Sequence, residues 1–288
     1  MKHFCHTMLV LSFLLAACHS NALQGNNTNT APSNPDTTQI EGVYHLSLND
    51  MEVWTLQDKV NTMPMSLFPD AEPSIVKELV PSGAAPSAIN TFLVKYRDQY
   101  ILFDAGLGRD KGGAIMDQLE QLKIRPQDIN IICITHFHGD HIGGMVVNGK
   151  ACFPNAEVYF SEAEAKAWAS DPATKQMMNL YQGRTHAFTA GDTLLDFIVT
   201  KAAPGHTPGH TLYQINQLLV IGDLLHAAAL QLPHPEYCAR YDQDKKTAVE
   251  TRNTYYKYIR DNHLIVAGMH LPGTGVMERF PEEMDIRR

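Results

Sequence analysis

The chain has 288 residues, 44% of them hydrophobic, which suffices for one large domain or two small ones with a filled core. Its 23 Lys and Arg against 31 Asp and Glu give a formal charge of −8, which argues against a general nucleic-acid binder. A small-molecule substrate is therefore expected.

Residues 1–17 have the pattern of a secretory signal peptide. Lys2 gives a positive start, residues 8–15 form an apolar run too short to span a membrane as a mature helix, and two alanines suit a processing site. The tetrapeptide LAAC, ending at Cys18, resembles the lipobox of bacterial lipoproteins. The resemblance implies a lipoprotein anchored in the bacterial periplasm through a lipid on Cys18. A plain cleaved signal, giving a soluble periplasmic or secreted protein, is the alternative.

Residues 18–40 are rich in Asn, Thr, Ser and Pro and lack a hydrophobic period, which predicts a disordered tether before a folded domain over 41–288. The cysteines of that domain are odd in number and match no CxxC motif, so they are interpreted as buried or free thiols. These are Cys133, Cys152 and Cys238. A disulfide between the last two is compatible with an oxidising compartment but is not indicated.

The first predicted elements of the domain are a hairpin, a helix and a strand. NTFLVKY and QYILFDAG, separated by Arg97 and Asp98, predict the hairpin. Residues 112–122 predict the helix, Pro126 a turn, and INIICIT the strand.

The second half repeats this mixture. Ser161, with Glu164 three residues on, predicts a capping box that opens a helix. LDFIVTKAA, TLYQINQLLVIGD and LIVAGMH predict strands, and residues 243–262 predict a long amphipathic helix. Two such halves indicate two packed sheets with helices outside.

The stretch THFHGDHIGG, residues 135–144, places four metal-competent groups directly after the apolar run INIICI. They are His136, His138, Asp140 and His141. The first two, two residues apart, point the same way from an extended backbone, while the others follow Gly139, where the chain can turn. Because four such groups share six positions, this one loop is predicted to supply ligands to two metals.

Three later segments also end a strand, or follow one, with a metal-competent side chain. PGHTPGH contributes His206 and His210, LLVIGD contributes Asp223, and LIVAGMH contributes His270. Strand ends on several elements can focus such groups into one rigid site.

HxHxDH, then GHT, then GD after an apolar strand, then a strand-end His, resembles the ordered signature of the metallo-β-lactamase superfamily over residues 90–275. The resemblance implies an α/β fold, a four-layer αββα sandwich, with two divalent metal ions at one sheet edge. It assigns His136, His138 and His206 to one metal, Asp140, His141 and His270 to the other, and Asp223 as the bridge. His210 has no ligand role in the family and is interpreted as structural. Asp104, in FDAG, is expected to support the HxHxDH loop.

Imidazole and carboxylate ligands without thiolate suit zinc, and also manganese, cobalt or iron. Two such ions lower the pKa of a shared water, so that a metal-bridging hydroxide can attack a carbonyl carbon or a phosphorus centre. Asp140 is the hypothesised catalytic group that passes a proton to the leaving group.

The second candidate catalytic residue is His226. The segment GDLLHAAALQLPHPE, followed by YDQD and a helix containing TR, resembles the methyl parathion hydrolase group, whose relatives open lactones and cleave aryl esters. Lactonases of the superfamily often carry a Tyr at the position of His226, which implies a substrate-facing donor. A packed helix histidine is the alternative.

Two features bear on the substrate. Lactam-cleaving branches usually have Cys or Ser where this chain has Asp223, which argues against a β-lactamase. The group's HLPFPGLG is shortened here to HLPGTG, which weakens a phosphotriesterase assignment more than a lactonase or esterase one. The apolar segment 61–70 is compatible with a replacement wall or lid and equally with core packing.

The sequence thus predicts a dinuclear metallohydrolase of lactones or of carboxyl and aryl esters, with organophosphate triesters as secondary substrates. A β-lactamase, a glyoxalase-type thioesterase and a non-enzymatic metal-dependent binding protein are the alternatives. The thioesterases normally add a C-terminal helical domain, whereas about 18 residues follow His270. Dimers are frequent in the group, which leaves a homodimer open.

Overall fold

The computed structural model describes residues 40–282. The signal peptide predicted over 1–17, the lipid on Cys18 and nearly all of the predicted tether lie outside these residues. Within them, no helix has the length and apolar character that crossing a membrane requires.

The strands of the described chain fall into two large sheets and a small two-stranded one. They are β1 Val43–Leu48, β2 Met51–Pro64, β3 Ala84–Tyr96, β4 Gln99–Phe103, β5 Ile129–Cys133, β6 Val146–Val147, β7 Lys150–Ala151, β8 Glu157–Ser161, β9 Thr185–Phe188, β10 Thr193–Leu194, β11 Ile198–Ala202, β12 Thr211–Ile215, β13 Leu218–Val220, β14 Ile265–Ala267 and β15 Val276–Met277. The first sheet has the order β1-β2-β3-β4-β5-β8-β9 and the second runs from β10 to β15 in sequence order.

The helices are mostly short. They are α1 Pro73–Leu79, α2 Ile115–Gln121, α3 Gly139–Ile142, α4 Glu162–Ala167, α5 Pro172–Leu180, α6 Ala228–Gln231 and α7 Lys245–Asp261. Single 3₁₀ turns cover Met65–Leu67, Arg109–Lys111, Pro126–Asp128 and Gly143–Met145.

The two large sheets pack face to face. Phe92 and Phe103 of the first sheet and Tyr213 and Val220 of the second belong to one buried cluster between them. A second cluster joins the outer face of the first sheet to α2 and α5, and a third joins the outer face of the second sheet to α7. The predicted four-layer αββα sandwich is therefore confirmed.

Most of the predicted elements are present with adjusted ends. The hairpin pairs Tyr96 with Gln99, as expected of strands joined by a two-residue turn. The helix predicted from residue 112 begins three residues later, because the buried carboxylate of Asp58 accepts the N–H groups of Ala114 and Ile115 and so fixes its start. All three cysteines of the domain are free.

Parallel pairing brings the candidate site together. β4 and β5 are parallel, as are β13 and β14, so the carboxyl ends of each pair open at the same edge of their sheet. The loops after these four strands carry Asp104, the HxHxDH motif, Asp223 and His270, while His206 lies in the connection from β11 to β12.

Candidate metal centre

Three imidazoles from two loops meet at the first half of the site. His136 Nε2 lies 2.9 Å from His138 Nδ1, and His206 Nε2 lies 3.0 Å from His138 Nδ1 and 3.2 Å from His136 Nε2. With one oxygen of Asp223, these nitrogens form a group in which every ligand atom is within 4.8 Å of the others. This is the spacing expected of side chains around one cation.

The second half consists of Asp140, His141 and His270, which form a separate group of the same kind. Asp140 Oδ2 lies 3.7 Å from His141 Nε2 and 3.6 Å from His270 Nε2. Both histidines are buried, whereas the side chain of Asp140 is 28% exposed. Asp140 is thus the member of this half that an approaching molecule can reach.

Asp223 lies between the two halves. Its Oδ1 is 3.1 Å from His141 Nε2, while its Oδ2 is 3.2 Å from His206 Nε2 and 3.1 Å from His270 Nε2. One carboxylate thus faces imidazoles of both groups, as a bridging ligand must.

The outward nitrogens of the four buried histidines in these two groups have partners. His136 Nδ1 lies 3.0 Å from the hydroxyl of Thr135, and His270 Nδ1 lies 2.9 Å from the carbonyl of Ala88. The other two face carboxylates: His141 Nδ1 is 2.7 Å from Asp104 Oδ2, and His206 Nδ1 is 2.9 Å from Asp242 Oδ1. Such contacts fix the tautomer and leave the inner nitrogen free to bind a metal.

Asp104 is placed by its backbone as well as by its partners. Its φ of 62° lies in the left-handed region, which Asp tolerates better than most residues, and turns the chain at the end of β4. The carboxylate also accepts hydrogen bonds from the N–H and hydroxyl of Thr135, each at 2.7 Å. The structure thus brings Asp104 against the HxHxDH loop, as the sequence predicts.

Burial and neighbouring charges set the protonation of the histidines. Burial, and then the neighbouring His206, lowers the pKa of His138 to about 4. Burial also acts against the charged form of His206, but the carboxylates of Asp223 and Asp242 outweigh it and raise its pKa to about 9. The two carboxylates therefore favour the charged form of His206, and a metal that binds its Nε2 has to compete with a proton.

The carboxylate of Asp223 stays ionised although it is fully buried. Burial alone would raise its pKa, but the imidazoles of His141 and His270 hold the pKa well below its usual range. A permanent negative charge at the centre of the cluster favours a divalent cation there.

Several inner atoms of the cluster are left without hydrogen-bond partners. His141 Nε2 and Asp223 Oδ1 approach closely yet form no hydrogen bond, and both nitrogens of His226 are also unpartnered. Buried polar atoms are normally satisfied, so a set that converges without hydrogen bonds points to an ion as their partner. The residues present therefore fit a divalent metal with imidazole and carboxylate ligands, such as zinc.

His226 and His210 behave differently. The Nε2 of His226 lies 3.2 Å from Asp223 Oδ2, and its ring stacks on that of His270 at 5.2 Å. His210 Nδ1 instead meets the carbonyl of Ala203 at 3.0 Å, and its Nε2 accepts the N–H of Asp223 at 3.0 Å. The structure therefore brings His226 to the site, while His210 holds the backbone that presents Asp223.

Aromatic side chains lie beside the cluster. The ring of Trp168 meets that of His138 at 5.2 Å, and the ring of Tyr241, 47% exposed, lies 5.9 Å from that of His226. These partly exposed rings offer apolar surface next to the metal-competent groups.

Segment 61–70, for which the sequence allows either a wall of the site or core packing, contributes apolar side chains to a buried cluster. Met63, Met65 and Phe68 pack against Ala227 and neighbouring residues that follow His226. The HLPGTG turn is held by Asn90, whose amide donates to the carbonyls of Gly268 and Leu271 at 3.0 and 2.8 Å.

The capping box predicted for Ser161 and Glu164 forms only in its first half. Ser161 does accept the N–H of Glu164, at 3.2 Å, but the Glu164 side chain does not return to Ser161. It is buried and accepts the N–H of Phe137 at 3.0 Å, the hydroxyl of Thr207 at 2.7 Å and the N–H of Gly209 at 2.9 Å. Glu164 therefore joins the HxHxDH loop to the GHT loop, a role that local spacing could not reveal.

Asp242 is a further contributor that sequence reasoning missed. It lies in YDQD, which the sequence marks only as part of a group resemblance, and its partner His206 is 36 residues away. No spacing rule connects the two positions.

The chain is similar to known metal-dependent hydrolases. The family model described as metallo-beta-lactamase superfamily matches residues 84–256. The solved hydrolase AbOPH, described as in the beta lactamase superfamily, is 28% identical, with a TM-score of 0.79 over 86% of this chain and 96% of that one. AidC, a dizinc quorum-quenching lactonase solved with a product, is 26% identical, with a TM-score of 0.75 over 82% and 92%.

Among curated proteins, the uncharacterized protein YobT of Bacillus subtilis is 28% identical over 148 residues, 47% of this chain. The chain spans 61% of the length of YobT, and the first curated relatives that follow are covered over still smaller shares.

Proposed function

The chain belongs to the metallo-β-lactamase superfamily of metal-dependent hydrolases, and from that premise we propose that it uses two metal ions to cleave lactones or carboxyl and aryl esters. The observation that carries the proposal is Asp223, whose two oxygens face imidazoles of both halves of the site at 3.1 to 3.2 Å. The likeness to a dizinc lactonase at 26% identity supports both the metal and the substrate class.

In this proposal each half of the site holds one ion, with zinc the favoured metal. The first is held by His136, His138 and His206, the second by Asp140, His141 and His270, and Asp223 is shared. When bound, such ions lower the pKa of water and polarise the oxygen of the bond to be cleaved.

The chain's own groups would then orient the substrate. His226 is buried at the site and has two unpartnered nitrogens, so its N–H can be donated to a substrate oxygen. Trp168 and Tyr241 would contact an apolar acyl or aryl group on the exposed side. A β-lactamase is disfavoured because that branch usually has Cys or Ser at the position of Asp223.

Asp140 is proposed to take up the proton that the attacking water gives up and to pass it to the leaving group. Its carboxylate is partly exposed and lies 3.6 Å from His270, at the border between ligands and solvent. We expect Asp140→Asn to depress turnover most for esters with poor leaving groups, by about 10²- to 10⁴-fold, because these require protonation in the transition state. Rates for an aryl ester series of rising leaving-group pKa measure this. A uniform loss across the series would contradict the assignment.

A hydrolysis panel on the full chain tests the function itself. It comprises an aliphatic lactone, an aryl lactone, an aryl ester, a phosphotriester and a cephalosporin, with metal content measured in parallel. We expect the lactones and the aryl ester to be cleaved fastest and the phosphotriester slowly. His226→Ala is expected to weaken turnover of the lactones by about tenfold or more, because a hydrogen bond to the reacting oxygen is lost.

The panel separates the alternatives. Turnover of the cephalosporin alone would overturn the argument from Asp223. A metal-loaded protein that cleaves none of the five compounds would favour a binding protein. His45→Ala is the matched control for His226→Ala, since His45 is exposed and pairs with Glu52 on β1 and β2, far in sequence from the site.

A further inference from the structure

Asp242 and Arg252 form a buried ion pair directly behind the metal-competent cluster. Asp242 Oδ1 lies 2.9 Å from His206 Nδ1, and Asp242 Oδ2 accepts a hydrogen bond from Arg252 Nη2 at 3.2 Å. Both side chains are buried, with Arg252 1% exposed. One carboxylate therefore faces a histidine of the site with one oxygen and a guanidinium with the other.

The guanidinium has further fixed partners. Its Nε donates to the carbonyl of Leu224 at 2.8 Å, and its Nη1 donates to the carbonyls of Pro235 and Tyr237 at 2.7 and 3.2 Å. A buried cation is costly unless its donors are satisfied, and here the planar fork meets oxygens in several directions. The ammonium of a lysine could not reach all of them at once.

These partners belong to the elements that shape the site. Leu224 follows Asp223 directly, while Pro235 and Tyr237 lie in the segment between His226 and Asp242. Arg252 itself lies on α7, in the outer layer behind the second sheet. The pair thus joins a rigid helix to the backbone next to Asp223 and to the outer nitrogen of His206.

We propose that Asp242 and Arg252 are positioning residues for His206. Arg252 holds the carboxylate of Asp242 in place, and Asp242 fixes the ring of His206 so that its Nε2 faces His136, His138 and Asp223. The inference rests on the proposed metal-dependent function and deepens it, because it assigns the pair to one half of the site. Asp104 serves the other half in the same way, through His141.

Metal release from the full-length protein tests whether Asp242 and Arg252 position His206 for one half of the site. Zinc-loaded wild type, Asp242→Asn and Asp104→Asn are titrated with a chelator, and the affinity of each of the two ions is followed. We expect Asp242→Asn to weaken one ion about 10- to 100-fold while the other keeps its affinity, since removing the carboxylate behind a metal-bound histidine has this effect. Asp104→Asn is expected to weaken the other ion instead.

Cobalt loading supplies a second readout. The visible absorption of cobalt bound at the His206 half should change in Asp242→Asn and keep its wild-type form in Asp104→Asn. Asp244→Asn is the matched control: Asp244 lies two residues on, caps α7 through Thr247, and is expected to leave both ions unaffected. Arg252→Lys is expected to reproduce the loss seen in Asp242→Asn, and Asp242→Asn alone decides the result where Arg252→Lys does not fold.

The outcomes separate a failure of this positioning role from a failure of the proposed function. If the wild type binds two ions and Asp242→Asn binds both with wild-type affinity, the positioning role of Asp242 and Arg252 is overturned. The proposed function would still stand. Equal weakening of both ions in Asp242→Asn also overturns the positioning role, because the pair would then support the whole fold. A wild type that binds no divalent ion overturns the proposed function together with the positioning role.

Discussion

Asp223→Asn is expected to lose at least one metal ion and to reduce the rate of ester hydrolysis by about 10³-fold or more, because metal catalysis contributes several kcal/mol. The buried carboxylate faces imidazoles of both halves at 3.1 to 3.2 Å, and the amide of Asn offers one neutral oxygen in its place. The amide nitrogen of Asn would face the imidazoles of one half, and it carries no negative charge that could hold a cation there. Both halves of the site therefore depend on this single side chain.

Metal content per chain and turnover of the best panel substrate, measured on the same sample, check this result. Asp50→Asn is the matched control, since Asp50 is exposed in the turn between β1 and β2. Full activity of Asp223→Asn with two ions retained would overturn the bridging assignment. Loss of both ions without loss of fold, seen by circular dichroism, would show that neither half binds metal alone.

The sequence predicts the parts of the site that depend on local order along the chain. HxHxDH follows an apolar strand and Asp223 ends another, and strand ends on several elements can focus such groups into one rigid site, so the sequence predicts that His136 and Asp223 lie together. Side chains that contact each other from distant positions along the chain leave no such pattern in the sequence. Asp242 reaches His206 across 36 residues, and Glu164 reaches Gly209 across 45.

Glu164 also shows why a correct local rule can assign a side chain wrongly. The spacing of Ser161 and Glu164 does open α4, and the Ser161 hydroxyl accepts the N–H of Glu164 as a helix cap should. The carboxylate, however, is fully buried where two ligand loops need an acceptor, so it binds their donors rather than the helix start. Propensity fixed the helix, while tertiary packing decided the partner.

We therefore expect Glu164→Ala to lower the free energy of unfolding by about 3 to 5 kcal/mol, because three buried donors lose their acceptor, each at the lower end of the usual cost of roughly 1 to 3 kcal/mol. This corresponds to a fall in melting temperature of roughly 6 to 20 °C for a domain of this size. The donors are the N–H groups of Phe137 and Gly209 and the hydroxyl of Thr207. Glu164→Gln keeps one carbonyl oxygen and should lose less.

Chemical denaturation of the metal-loaded and the metal-free protein measures the effect. Glu162→Ala is the matched control, because Glu162 is the exposed neighbour in the first turn of the same helix and should change stability by less than about 0.5 kcal/mol. If Glu164 joins the two ligand loops, its loss should also weaken metal binding, since His138 and His206 lie beside Phe137 and Thr207. A destabilisation equal to that of Glu162→Ala would mean that the carboxylate does not hold the loops together.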